Sequence, residues 1–400
     1  MLKRFFDIFK GQTPKIAQKG VQVTDVSGQV FYRSFWRFFN DFRGGKGWGG
    51  YQSDLSDGFA SNPYVYAVVD RIAKGVARIP VIAKRPKSDL PLNNETAARF
   101  LANPNTSETF QDFTYKAMVY LCSTGNCFIL RERVQGDAVG FKILHAPSVQ
   151  ILTRNGKEDG PIYGYSYEGG MVAETDVLHL KFPDATYPTH WGASPLRALA
   201  QVIDGSNNTL TAGSHLRKNM GAMGMISSKN AEVPLTEKQR KEMEIAFNNG
   251  IGGPEKSGQV YFSQGAVEYT AFGMSPKDLM LEEARLSALR DVCIVFGVQP
   301  SIFGDAAAST YNNVSSAYRD FYKNVVSPLA VKYAQEFGAF ILDTANTFGR
   351  VVADFSKVEE MQADPETKAA IRSDVQAGIL TAAEARQLLY PELIIQSNEQ

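Results

Sequence analysis

Two stretches in the second half of the chain decide the predicted fold: residues 275–297, SPKDLMLEEARLSALRDVCIVFG, and residues 303–313, FGDAAASTYNN. The first stretch has the signals of a helix with defined ends. Ser275 can accept backbone N–H groups at the start, and Pro276 suits the first helical position. Gly297 suits a left-handed cap at the end. The stretch therefore predicts a helix that stops at Gly297.

This predicted helix carries apolar residues on two faces. The first face contains Leu281, Ala284, Ala288, Val292 and Val295, and the second contains Leu279, Leu286, Leu289, Cys293 and Phe296. Charged residues lie between the two faces. An apolar helix face must be buried against something, so we expect neighbours on two sides of this helix.

The second stretch has no Lys or Arg and a single charge, Asp305, which is typical of a mobile loop rather than a core segment. After it, apolar residues keep a helical period over residues 314–341, which corresponds to about 45 Å of helix at 1.5 Å per residue. Pro328 falls inside this run and is expected to bend the helix. A helix this long with a bend in its middle is more useful to an assembly than to a compact monomer.

In series, these stretches resemble the portal proteins of tailed bacteriophages, specifically the HK97-type family. The resemblance rests on motifs that occur in order along most of the chain from about residue 62 to residue 386: Trp191-Gly192-Ala193-Ser194-Pro195-Leu196, Asn219-Met220-Gly221-Ala222, Ser275-Pro276-Lys277-Asp278, Leu281-Glu282, Arg285, Phe296-Gly297-Val298-Gln299-Pro300, Gly304, Thr310-Tyr311-Asn312-Asn313 and Gly378-Ile379-Leu380-Thr381-Ala382-Ala383-Glu384-Ala385-Arg386. One departure is Gln299, where the family pattern has proline.

The resemblance implies an α+β fold, an elongated portal-like subunit with a wing, a helical stem, a small α/β clip and a short helical C-terminal region. The implied segments are an N-terminal arm (1–60), an α+β wing (61–193), a first stem helix (194–224), a clip (225–272), a second stem helix (273–298), a tunnel loop (299–313), a long kinked wing helix (314–345) and a crown-like helical region (346–400).

The resemblance also implies a function and partners. Subunits of the family form a dodecameric ring at one capsid vertex, and double-stranded DNA passes non-specifically through it during packaging and ejection. The expected partners are other copies of the chain, the terminase large subunit, a head–tail adaptor and the major capsid protein. The expected location is the virion, and the host cytoplasm during assembly. No enzymatic activity, cofactor, metal or stable membrane insertion is expected.

Candidate site residues follow from the same resemblance. The DNA-facing tunnel loop is Gly304, Asp305, Ala306, Ala307, Ala308, Ser309, Thr310, Tyr311, Asn312 and Asn313. The charged stem residues are Glu282, Glu283, Arg285 and Arg290. The clip charges, expected to contact the motor and adaptor, are Lys229, Glu232, Glu237, Lys238, Lys241 and Glu255. Pro328 is the expected helix kink.

The charge balance agrees with a channel rather than a tight DNA-binding protein. Lys plus Arg and Asp plus Glu number 42 each, so the formal net charge is zero, whereas tight nucleic-acid binders usually carry a basic excess. DNA that must slide is held back by each phosphate contact, because every such contact adds affinity through counterion release. A loop with small and amide side chains fits a low-friction constriction. The alternative is an ordinary solvent-exposed loop between helices.

Motifs for covalent chemistry are missing from the sequence. The four histidines are scattered, and neither a nucleophile elbow nor a P-loop sequence occurs. Cys122 and Cys127 lack metal-site spacing, and the odd count of three cysteines favours buried thiols in a reducing compartment. Glu282 and Glu283 are adjacent on a helix and therefore diverge, which does not suit paired acid–base catalysis. An enzyme is the least favoured class.

The N-terminal segment leaves alternatives open. Gly45, Gly47 and Gly50 formally satisfy G-x-G-x-x-G, but no strand is predicted before them and no helix after them, as a dinucleotide site requires. The segment before residue 62 is otherwise aromatic and basic, which indicates an arm that packs on a neighbour. A membrane-associated or adaptor protein without a DNA channel is the alternative function. The first ten residues are interrupted by charge, so a signal peptide is not expected, and no apolar run is long enough to span a bilayer.

Local patterns predict the remaining elements. Strands are expected at residues 80–84, 125–134, 140–144, 149–153, 162–167 and 177–182, and helices at 62–80 and 109–122. The clip is expected to contain a strand near residue 225, a helix over 236–250 and a hairpin of 259–263 with 267–272. Two short capped helices are expected near the C-terminus, separated by Gly378.

Overall fold

The computed structural model describes residues 22–24, 30–32, 54–154, 160–185, 189–218, 224–228, 236–238, 241, 245, 267–271, 281–305, 311–356, 358–361, 365–381 and 384–385. The chain divides into two compact units, one of residues 1–198 with 293–400 and the other of residues 199–292. Helices and small sheets alternate in both, so the predicted α+β class is confirmed. The boundaries of wing, stem and clip stay predictions.

The α-helices are α1 (Pro63–Ala77), α2 (Glu95–Ala102), α3 (Phe110–Thr124), α4 (Ala200–Lys218), α5 (Leu281–Phe296), α6 (Tyr311–Phe321), α7 (Ser327–Thr344) and α8 (Pro365–Gln376). The strands are β1 (Gln22–Thr24), β2 (Val30–Tyr32), β3 (Val81–Lys84), β4 (Asn126–Val134), β5 (Asp137–Leu144), β6 (Gln150–Thr153), β7 (Ile162–Tyr167), β8 (Gly170–Ala173), β9 (Val177–Lys181), β10 (Gly224–Ser228), β11 (Val267–Ala271) and β12 (Arg350–Ala353).

Capping residues fix the starts of α1 and α3, next to the predicted starts at residues 62 and 109. The Asn62 side chain accepts the N–H groups of Tyr64 and Val65 at the start of α1, and the Thr109 side chain accepts the N–H of Asp112 at the start of α3. The sequence pattern did not predict helix α2 or the strands β1, β2 and β8. Helix α2 is only eight residues long and buries Ala97 and Phe100, so few positions mark its inner face.

Three sheets make up most of the β structure of the first unit. Their strand orders are β5-β4-β9, β6-β7-β8 and β12-β3, and all pairs are antiparallel. The turn between β7 and β8 has two residues with positive φ, Glu168 at 50° and Gly169 at 80°, which suits the right-handed twist of a two-residue hairpin.

Helix α7 forms the centre of the first unit. Phe337, almost completely buried, stacks on Phe113 of α3 at 5.4 Å between ring centroids and meets Phe141 of β5 edge-on at 5.3 Å. Gly338 lies where β12 crosses α7, since a Cβ atom there would be 2.3 Å from the Cβ of Val351. Only glycine permits this close approach.

A buried junction holds the chain just before it enters α4. The Asn126 amide donates to the carbonyls of Thr124 (2.8 Å) and Gly192 (3.1 Å), and its oxygen accepts the Gly192 N–H (2.6 Å) and a bond from His179 Nε2 (2.9 Å). Because that oxygen is an acceptor only, Nε2 of His179 carries the proton. Gly125 is left-handed (φ 72°), and its carbonyl oxygen would lie 2.1 Å from any Cβ added at Gly192. This contact excludes side chains at Gly192.

The predicted helix start at Ser194 is a short helical turn instead. The Ser194 hydroxyl donates to the carbonyl of Ser123 and accepts the N–H of Leu196, and a 3₁₀ turn covers Pro195–Arg197. Helix α4 begins only at Ala200. The prediction of a helix from residue 194 is corrected by this turn, because the capping hydroxyl is also bonded to the preceding α3 segment.

In the second unit, β10 pairs with β11 in antiparallel fashion, Gly224 opposite Ala271. The sequence instead predicts a hairpin of 259–263 with 267–272, and its first strand lies outside the described residues. Of the expected helix over 236–250, residues 236, 237, 238, 241 and 245 are described; residue 236 precedes the helix and the other four are helical.

Candidate functional site

The first part of the predicted tunnel loop, residues 298–305, is held by turns and hydrogen bonds. Helix α5 ends as predicted at Gly297, which has a φ of 67°, and the Val298 N–H returns to the Cys293 carbonyl at 2.8 Å. A 3₁₀ turn then covers Pro300–Phe303 and ends at Gly304, also left-handed (φ 81°). The amide of Gln299 donates to the Asp320 carboxylate on α6 at 2.9 Å and so ties the entry of the loop to its exit.

The tip of the loop is only partly described. Gly304 is exposed and Asp305 half-buried, whereas residues 306–310 lie outside the described part. Tyr311, Asn312 and Asn313, expected in the loop, have helical backbone in the first turn of α6. Burial, together with the charge of Asp305, raises the pKa of the Cys293 thiol below the loop to about 12, so this thiol is protonated at neutral pH.

A π-helical segment, Tyr322–Val326, separates α6 from α7 and ends just before Pro328. The N–H of Ser327 donates to the carbonyl of Tyr322, five residues earlier. Proline has no N–H to donate and its ring crowds the carbonyl four residues earlier, and a π turn relieves both problems. The helical run therefore continues from residue 311 to residue 344, with its irregularity located one turn before Pro328.

Helix α5 buries part of each of its two predicted apolar faces. The buried residues are Ala288, Leu289, Val292 and Cys293. Leu286, Ile294 and Val295 are exposed, with Ile294 at 72 %. Ala288 and Val292 belong to the first predicted face, and Leu289 and Cys293 belong to the second. The expectation of neighbours on two sides of this helix stays a prediction.

The charged stem and clip candidates are surface residues where they are described. Glu283, Arg285 and Arg290 are exposed, whereas the side chain of Glu282 is outside the described set. Glu237, Lys238 and Lys241 are exposed, and Glu237 pairs with Lys241 at 3.3 Å one helical turn away. Such an exposed pair contributes little to stability. The remaining clip charges, Lys229, Glu232 and Glu255, lie outside the described residues.

A groove next to the loop was not anticipated from the sequence. It has a volume of about 500 Å³ and lies between α1, the 3₁₀ turn that carries Phe303, and α6 with the π segment. Arg71, Lys74 and Arg78 of α1 lie along it on one helix face, opposite aromatic side chains. The spacing of these cations, three and four residues apart on a well-capped helix, was the signal available in the sequence.

Comparison with known proteins gives the family. The family described as phage portal protein matches residues 63–389. The chain belongs to this family, in its HK97-type branch. It is 23 % identical over 308 residues to the portal protein of Enterobacteria phage HK97, an alignment that covers 75 % of this chain and 70 % of that protein.

Solved structures show the same fold. A chain in the neck of a native gene transfer agent particle, computed with C12 symmetry, matches with a TM-score of 0.62 and 22 % identity, covering 89 % of this chain and 98 % of that chain. An HK97-family portal protein from Corynebacterium diphtheriae matches with a TM-score of 0.55 and 16 % identity, covering 80 % and 100 %. The HK97-type resemblance noted in the sequence is confirmed.

Two further observations on the described residues concern metal binding and membranes. Across the described ranges, no cluster of three or more His, Cys, Asp or Glu side chains is arranged to hold a metal ion. Among the helices that the structure describes, none combines the length and apolar character needed to cross a bilayer.

Proposed function

We propose that copies of this chain form a dodecameric ring at one vertex of a tailed-phage or phage-like capsid, and that double-stranded DNA passes through its centre. The observation that carries the proposal is the family match over residues 63–389, together with a fold shared with portal proteins across most of the chain. The subunit acts mechanically in this proposal and catalyses no reaction.

The exposed apolar face of α5 supports assembly. Ile294 and Val295 are exposed in the single chain, although residues of this kind are normally buried. In a ring, each subunit meets two neighbours through two different surfaces, and one of these can cover the exposed Ile294 and Val295.

The loop over residues 304–313 is the proposed DNA-facing constriction. Its ends are fixed by the Gly304 cap and by the bond between Gln299 and Asp320, so a short neutral tip is held on a rigid base. The clip charges are the proposed contact for the terminase large subunit and later the head–tail adaptor, and the outer surface of the wing is the proposed contact for the major capsid protein. The protein would act in the virion, after assembly in the host cytoplasm.

Negative-stain electron microscopy of the purified full-length chain tests the ring. The expected result is a ring with a central hole, with a mass in solution of several times 44.0 kDa. A uniform monomer of 44.0 kDa over the micromolar range contradicts the proposal. A turnover screen with ATP and DNA tests the absence of enzymatic activity independently.

A further inference from the structure

The groove beside α1 contains guanidinium groups that the described part of the chain leaves without ionic partners. Lys74 is paired with Asp70 at 2.8 Å, and Asp70 also accepts the Tyr115 hydroxyl at 3.0 Å. Arg71 only stacks, with its Cζ 6.0 Å from the ring centroid of Phe303 and 5.8 Å from that of Tyr318. Neither Arg71 nor Arg78 has a carboxylate within salt-bridge distance among the described residues.

The walls of the groove are aromatic and rigid. Phe321 and Tyr322 are buried at its base, where they belong to the end of α6 and the π segment. Gly75 lets α1 approach this base, since a Cβ there would be 2.8 Å from the Cγ2 of Val326. The groove is thus preformed, and a ligand does not need to order it.

These features select the chemistry of an occupant. Guanidinium groups bind carboxylates or phosphates in bidentate geometry, and aromatic walls with arginines are typical of the energetic centres of protein interfaces. Asp70 and Glu360 also line the groove, so its charge is mixed, whereas a surface for the closely spaced phosphates of a nucleic acid is uniformly basic. A protein segment with one carboxylate beside an apolar side chain satisfies both the arginines and the aromatic wall.

We propose that this groove is one half of the contact between neighbouring subunits, and that it receives an acidic, partly apolar segment of a second copy of this chain. The inference rests on the proposed ring. A ring needs a heterologous contact in which two different patches of the same chain meet, and the groove has the properties of one patch. The chain has as many acidic as basic side chains, so a second copy can supply the complementary charge.

Charge reversal tests the proposal. The double variant R71E/R78E reverses the charge of both groove arginines, and the matched control R85E/K87E makes the same change in charge at two exposed residues of the loop after β3. All four side chains are exposed in the single chain, so the fold should survive, as circular dichroism will show. The groove variant should require at least ~30-fold more protein to form rings, because removing one partner of a buried charged contact weakens association by that order or more. The control should assemble like the wild type.

The outcomes separate this inference from the ring itself. If R71E/R78E forms rings at the wild-type concentration, the groove is not a subunit contact and the inference fails while the ring stands. If its rings form normally but hold DNA more weakly in a filter-binding assay, the ligand is phosphate and the inference is equally overturned. If the wild-type chain itself is monomeric, the proposed function fails first.

A second measurement leaves the arginines intact. Tyr66 lines the groove and is 47 % exposed, so a benzophenone amino acid at this position places a photoreactive group in the contact. Irradiation of assembled rings should give a ladder of multiples of 44.0 kDa. Mass spectrometry should then locate the adduct on a segment of the same chain that contains Asp or Glu. Adducts confined to DNA, or none at all in intact rings, would refute the proposal.

Discussion

Replacing Asn126 by alanine should loosen the junction that holds the chain ahead of α4. The side chain is completely buried and makes four hydrogen bonds, two of them with the N–H and the carbonyl of Gly192. Each buried polar group left unsatisfied costs about 1–3 kcal/mol. With both Gly192 groups affected and some water entering, the expected loss is about 3 kcal/mol, or roughly 100-fold in the local opening equilibrium.

Hydrogen–deuterium exchange with mass spectrometry measures this opening directly. In the Asn126→Ala variant, the backbone amides of the peptide that covers residues 182–198 should exchange about 100-fold faster. Asn103 is exposed at the end of α2, so the control variant Asn103→Ala should change exchange in that peptide by less than threefold. Equal protection of the peptide in the wild type and in Asn126→Ala would refute the reasoning.

A charged replacement adds a pH signature. Asn126→Asp keeps the acceptor for Gly192 but loses the donor, and it places a carboxylate beside two carbonyl oxygens. We expect burial and the two carbonyl oxygens to outweigh the N–H donors of Gly192 and His179, so that the pKa of this carboxyl in the folded state lies above its unfolded value. The variant should therefore be least stable at neutral pH and regain stability as the pH falls through the raised pKa, since the protonated acid can donate again. The alanine variant should show no such recovery.

Three other outcomes are expected. Lysines in place of Ala306, Ala307 and Ser309 should slow DNA packaging in an in vitro packaging assay without preventing ring assembly, because each lysine adds a phosphate contact. An unchanged packaging rate and DNA length would show that the loop does not face DNA. Reversal of all clip charges should lower motor-dependent DNA uptake, and wild-type uptake would place the motor contact elsewhere. A Gly→Ala change in a helix normally stabilises it by about 1 kcal/mol. Gly338→Ala should instead destabilise the protein by about 1–3 kcal/mol in thermal unfolding, because the added Cβ meets Val351. An unchanged or higher melting temperature would contradict this.

Helix ends were predictable because their signals are local. Helices α1 and α3 start next to the predicted residues 62 and 109, where Asn62 and Thr109 cap them, and Gly297 ends α5 as predicted. The capping box near the C-terminus is also present: the Thr381 N–H donates to the Glu384 carboxylate at 2.8 Å, and the Glu384 N–H donates to the Thr381 hydroxyl at 3.2 Å. Each signal involves residues within one or two turns of one another, so no tertiary knowledge is needed to read it.

Features that depend on distant partners were not predictable. Asn126 and Gly192 are 66 residues apart, and neither local sequence indicates the two hydrogen bonds between them. The exposure of Ile294 and Val295 on α5 was not predictable, because periodicity records apolar character without recording whether a residue is covered or by which molecule. The groove beside Arg71 forms only when α1 packs against α6. The sequence therefore shows the basic residues of the groove, but it does not show which aromatic residues will lie opposite them.

The π segment at residues 322–326 has a consequence for the long rod as a whole. Each residue of an α-helix turns the chain by about 100°, so removing one residue there would rotate α7 by that angle relative to α6. Phe337 and Ile341, now buried, would then point toward solvent while Ala317 and Phe321 kept their places. The segment thus sets the rotation of α7 relative to α6. Its length in residues is therefore as constrained as the identity of a side chain in the core.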